Sequence, residues 1–240
     1  VDMRLRPAGA QGPLASSLTA FRGYLDDKAW TWEQMAMTRA RFVAGDKDLG
    51  ETAMAVVRER LTRPRDPDDL LRAVADMRRR IAATHKAESP WQIKHVRGGL
   101  VDVEFIAQYL QLRHAAEHPD VISANTAAAL ERLGKDGVLD PARAERLAGA
   151  ARLWQRIQSM LRLSVSDRFD PATATAGLRD ALARAAGVED FEALVARNRL
   201  HAGEVSAAYD AIVESPAEAL PPAGEEERGE EPPADQEDDE

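Results

Sequence analysis

From about Ser17 to Glu214 the apolar residues recur every three or four positions, segment after segment. That spacing puts them on one side of a helix, whereas a half-buried strand needs strict alternation. "SSLTAFRGYLDDKA" has Ser17 as an N-cap and Leu18, Phe21 and Leu25 at helical spacing. "TWEQMAMTRARFVAGD" carries Trp32, Met35, Ala36, Arg39 and Phe42 along one side and predicts a helix stopping at Gly45. "DPDDLLRAVADMRRRIAATH" has Pro67 in its first turn, acids at its start and arginines at its end, which suits the helix dipole. Long helices are predicted over "PARAERLAGAARLWQRIQSMLRLSV" and "DFEALVARNRLHAGEVSAAYDAIVE". Only "VDMRLRP" at the start and a short "WQIKHV" read as extended. The fold class is therefore mainly α, a helical bundle or array.

Charge is unevenly spread. Eleven of the acids lie from Pro216 onward with Arg228 as the sole base, so the net charge of −9 belongs to the tail and the body is nearly neutral. A neutral body gives no general nucleic-acid patch. The tail is rich in Pro, Gly and Glu, and its composition predicts disorder from residue 216 to 240. There is no cysteine, which excludes thiolate metal sites and cysteine nucleophiles and fits a reducing, cytoplasmic setting. No apolar run is long enough to span a membrane. The first residues lack a signal pattern and read as mid-strand, which suggests a piece of a longer protein.

Two stretches carry most of the chemistry. In "VDMRLRP", alternation places Asp2, Arg4 and Arg6 on one strand face and Val1, Met3 and Leu5 on the other. Such a face is either a solvated salt-bridged edge or one wall of a nucleotide pocket, where carboxylates hold divalent ions and arginines neutralise phosphate. In "IKHVRGGLVDVEFIAQYLQLRH", Gly98 and Gly99 allow a sharp turn before a helix. Asp102 and Glu104 sit at the positive end of that helix, with Lys94 placed to reach back to one of them. A capped helix with an ion pair and a ligand-contacting loop are both open readings. His114 and His118, four apart, are weak metal candidates without a carboxylate between them.

"VDMRLRPAGAQGPLASSLTAF", "AWTWEQMAMTRARFVAGD" and "IKHVRGGLVDVEFIAQYLQLRHA", in that order, resemble the bacterial glutamine synthetase adenylyltransferase/adenylyl-removing enzymes, with specific matches from Val1 to about Leu133. That family has two halves, each a polymerase-β-like nucleotidyltransferase domain followed by a helical domain. "RPAG", "AWTWE" and "QYLQLR" resemble the second half, which attaches AMP. The resemblance implies that residues 1–46 end the catalytic domain, 47–215 form the helical domain and 216–240 a tail. It implies that Asp2 is the third active-site carboxylate, a Mg²⁺ ligand that offers a base for a tyrosine hydroxyl of glutamine synthetase. ATP would be the AMP donor, and Arg4 and Arg6 would touch phosphate, orient Asp2 or serve structure. Glu33, Arg39 and Arg41 match the family's "WE…AL…AR" segment. Lys94, Gly98, Gly99, Asp102 and Glu104 match a hallmark shared with the PII uridylyltransferase and read as a domain-junction motif. The family often has a third glycine or an acid before the glycine pair, where this chain has "KHVRGG". The Gly-Ser start and paired acids of the fold would precede Val1, so the chain alone should be inactive. Glutamine synthetase and the PII signalling protein are the implied partners. The competing reading is a non-catalytic helical module that docks one of them.

Overall fold

The computed structural model describes residues 15–165 and 168–221, and among these every regular element is helical. Ten α-helices follow in order: α1 Leu18–Asp27, α2 Thr31–Met37, α3 Lys47–Leu61, α4 Pro67–Thr84, α5 Leu100–His114, α6 Thr126–Lys135, α7 Pro141–Ser164, α8 Ala176–Ala186, α9 Phe191–Tyr209 and α10 Ser215–Glu218. The opening stretch and most of the acidic tail lie outside the described residues. No helix among those described is long and apolar enough to cross a membrane.

The helix starts are written into the chain. Ser17, Asp46, Asp66, Asn125, Asp140, Thr175 and Asp190 each cap a helix by accepting from a backbone amide of the first turn. At the centre stands α5, which packs against α2, α4, α6, α7 and α9. Its apolar residues spread round a wide face, so Val103, Ile106, Tyr109, Leu110 and Leu112 are all buried. Trp154 on α7 is fully buried, and its indole Nε1 donates to Asn198 Oδ1 on α9 at 2.7 Å.

Three local expectations are corrected. The second helix ends at Met37, not at Gly45. The Thr38 amide and hydroxyl both donate to the Met35 carbonyl, at 3.1 and 2.7 Å, which tightens the last turn and turns the chain out. The released Phe42 then lies over Gly50, where a Cβ would stand 2.3 Å from its ring. "WQIKHV" is a run of turns, because the Gln92 carbonyl accepts from both His95 and Val96 at 3.1 Å. Finally, helix continues past residue 216. A π-helical turn at Asp210–Glu214 leads into α10, with the Ser215 amide donating to the Asp210 carbonyl five residues back. Pro216 explains the widening, since its ring collides with the carbonyl four residues earlier.

Replacing Trp154 with Ala should destabilise the chain by about 3–5 kcal/mol. Trp154→Phe should cost less, about 1–3 kcal/mol, by leaving the Asn198 oxygen without its donor. Urea unfolding midpoints measure both.

Candidate functional site

The loop before α5 is built around one carboxylate. Asp102 is 0% exposed and lies in the first turn of α5. Arg78 of α4, itself 3% exposed, donates its Nε to Asp102 Oδ1. The other oxygen accepts the Gly98 amide at 2.5 Å and lies 3.7 Å from the Arg97 guanidinium. A buried carboxylate is tolerable only when its charge is matched and its lone pairs are taken, and here both conditions hold. The second Arg78 arm reaches the His95 carbonyl at 3.5 Å.

The two glycines serve close approach. Gly98 adopts φ of +73°, and a Cβ there would sit 2.0 Å from the Ala202 carbonyl oxygen of α9. A Cβ at Gly99 would meet the Ile93 carbonyl oxygen at 2.4 Å. The loop therefore folds its own carbonyls onto the start of α5. Leu100 donates to Ile93 at 2.7 Å and Val101 to Lys94 at 3.0 Å. Amides that would otherwise greet an anion at a helix N-terminus are thus engaged within the chain.

Further out, Arg97 pairs with Asp210 and lies 4.6 Å above the Tyr209 ring, while Arg79 pairs with Glu214 at 2.9 Å. These ion pairs hold the π turn against α4 and the glycine loop. Burial pushes the Tyr209 phenol well above its ordinary pKa, reinforced by the nearby Asp102 and Glu214 charges. Its hydroxyl is buried without a hydrogen-bond partner.

The structure thus places the sequence motif as follows. Gly98, Gly99 and Asp102 converge on one knot that joins α4, α5 and α9, and Lys94 supplies a backbone carbonyl to it. Glu104 faces the other way and meets Arg39, beyond α2, at 3.2 Å. Glu33 is buried and accepts from the Tyr24 hydroxyl at 2.6 Å and the Trp30 amide at 2.9 Å, so it ties α1 to α2. Arg41 is exposed. Asp2, Arg4 and Arg6 lie outside the described residues. His114 and His118 belong to no group of three His, Asp or Glu able to hold a metal among the described residues. The motif does not point to Arg78, although a signal existed: it follows Leu71, Val74 and Ala75 on the buried stripe of α4, where a lone arginine calls for a buried acid.

Comparison with known proteins gives this geometry a family. Residues 1–56 match the family described as glutamate-ammonia ligase adenylyltransferase, and residues 70–213 match that described as GlnD PII-uridylyltransferase. The helical body over residues 70–213 is thus similar to a family of nucleotidyltransferases. Curated relatives named bifunctional glutamine synthetase adenylyltransferase/adenylyl-removing enzyme match most of the chain. The protein of Bradyrhizobium diazoefficiens is 46% identical over 91% of this chain and 22% of its own length. That of Rhodopseudomonas palustris strain TIE-1 is 44% identical over 89% and 22%, and that of Xanthobacter autotrophicus 42% identical over 91% and 22%. The chain belongs to the family of bifunctional glutamine synthetase adenylyltransferase/adenylyl-removing enzymes, and it spans about a fifth of the length of these curated relatives.

Two measurements probe the site. Gly98→Ala should cost clearly more stability than Gly137→Ala. Both glycines have positive φ, +73° and +74°, but only the Gly98 Cβ meets backbone, so the Gly137 change pays backbone strain alone, about 1 kcal/mol. Paired chemical denaturation of the two variants checks this. His114 supplies a pH signature. Burial, then Arg113 and His118, lowers its pKa, against a smaller opposing effect of Glu117. The unfolded chain therefore binds the proton more readily, so this contribution is intact above about pH 6.5 and is lost as pH falls towards the lower folded value. Thermal midpoints between about pH 7.5 and 5 should fall less steeply in His114→Gln than in the parent chain.

Proposed function

We propose that this chain is the C-terminal portion of the adenylyltransferase half of its family's enzyme, which transfers AMP from ATP to a tyrosine of glutamine synthetase. The observation that carries this reading is the order of the two family matches, adenylyltransferase over residues 1–56 and then the uridylyltransferase-type helical domain over 70–213. On this reading residues 1–46 close the catalytic domain, 47–215 are the helical domain and 216–240 the acidic tail. Asp2 is a carboxylate of the active site, with Arg4 and Arg6 near the phosphates. Lys94, Gly98, Gly99, Asp102 and Glu104 form the junction motif. The Arg39–Glu104 pair supports this last assignment, because it joins the proposed end of the catalytic domain to the helical domain.

Mg²⁺ with ATP suits the donor chemistry, since a hard dication prefers oxygen ligands and Asp2 supplies a carboxylate. One carboxylate is not enough for two-metal chemistry, and no cluster of three acids or histidines among the described residues adds to it. The remaining acids would come from the parent enzyme. The PII signalling protein is a proposed partner through the name of the matching helical family. A cytoplasmic setting agrees with the absence of cysteine.

Purified chain with Mg-ATP and glutamine synthetase should incorporate no labelled AMP. In the intact parent, Asp2→Asn should abolish AMP transfer while leaving glutamine synthetase binding in place. Transfer that survives this change would remove Asp2 from the active site. Loss of transfer together with loss of glutamine synthetase binding would favour a docking module instead.

A further inference from the structure

Arg65 lies between α3 and α4 and is largely withdrawn from water, yet none of its contacts is a carboxylate. Its NH1 donates to the carbonyls of Leu61 at 2.9 Å, Arg63 at 2.8 Å and Leu112 at 3.3 Å. Its NH2 donates to the Arg60 carbonyl at 2.9 Å. Nε and NH2 together grip Gln34 Oε1 of α2 at 3.1 and 3.0 Å. Burial, followed by the neighbouring Arg60 and Arg63 charges, pushes its pKa down to about 10, which still leaves it charged at neutral pH.

The missing counter-ion has a physical substitute. Arg60 and Leu61 close α3, and Leu112 is in the last turn of α5. Each helix C-terminus presents carbonyls without intrahelical partners and about half a negative elementary charge. Two such ends converge on Arg65, so their partial charges together balance one guanidinium. A planar fork with five donors can serve three helices at once, which a lysine ammonium cannot. Gln34 is held besides by its own amide, which donates to the Ala29 carbonyl at 3.0 Å, so it transmits the grip to the start of α2.

We propose that Arg65 is a latch that fixes α2 on the helical body, so that α2 moves with the helical domain rather than with the catalytic domain whose end it forms in sequence. Three further contacts point the same way. Met35 of α2 is 2% exposed in the common core, Glu104 of α5 holds Arg39, and α2 packs on both α4 and α5. Motion between the catalytic and helical parts of the parent is then taken up before α2 and not at the α2–α3 loop. The latch itself does not depend on the nucleotide chemistry proposed above, and its test uses this chain alone.

The test is amide hydrogen exchange on the full chain. Gln34→Leu removes the grip on α2 and leaves Arg65 capping α3 and α5. Exchange of the amides of residues 34–37 should then rise about tenfold or more, while amides of α7 and α9 keep their protection. Arg65→Lys should give the same local release, because the ammonium cannot reproduce the fork. Unchanged α2 protection in Gln34→Leu would overturn the latch. So would a rise shared equally by every helix, which would mean that α2 has no local opening for Arg65 to control. Should Arg65→Lys fail to fold, Gln34→Leu still decides.

Discussion

The buried pair of Arg78 and Asp102 is the constraint from which the centre of the molecule follows. A carboxylate with no exposed surface fixes everything that must neutralise it. Arg78 brings α4 to the head of α5, and the Gly98 amide brings the loop. The loop can arrive only because Gly98 lacks a side chain against the Ala202 carbonyl, which in turn sets the distance between α5 and α9. Three helices are thus spaced by a single charge. Removing one partner would strand the other in a medium that cannot solvate it, at a cost of about 3–5 kcal/mol.

The helices were legible because their signals are local. Ser17 announces a helix start in the sequence and Pro67 a first turn, and both perform that role in the structure. The wide apolar face of α5, buried at Val103, Ile106, Tyr109, Leu110 and Leu112, is a local signal of the same kind. What stayed hidden depends on groups far apart along the chain. Arg78 and Asp102 are 24 residues apart, and Arg97 and Asp210 are 113 apart. No periodicity links them. The early end of α2 was also obscured, because Thr38 competes for a carbonyl in a segment whose apolar spacing continues to Phe42.

The glycine motif shows how one short stretch can be informative and yet point in two directions. Its residues were legible as a turn and a charged helix start. Their destinations were not: Asp102 looks inward to α4, while Glu104, two residues on, looks back to Arg39. Residues two apart on a helix leave in different directions, so a motif of this spacing can bind two separate neighbours. The amides of Leu100 and Val101, engaged by the loop's own carbonyls, make this helix start a joint between elements rather than an open cradle.

The wide turn at Asp210–Glu214 has a consequence for chain length. A π turn holds one residue more than the α-helical turn it replaces. The wider turn takes up that residue locally, so the helix on either side of it keeps its phase. Asp210 stays with Arg97 and Glu214 with Arg79, while Pro216 follows within the helix and displaces neither. The chain is one residue longer here without turning either carboxylate away from its cation.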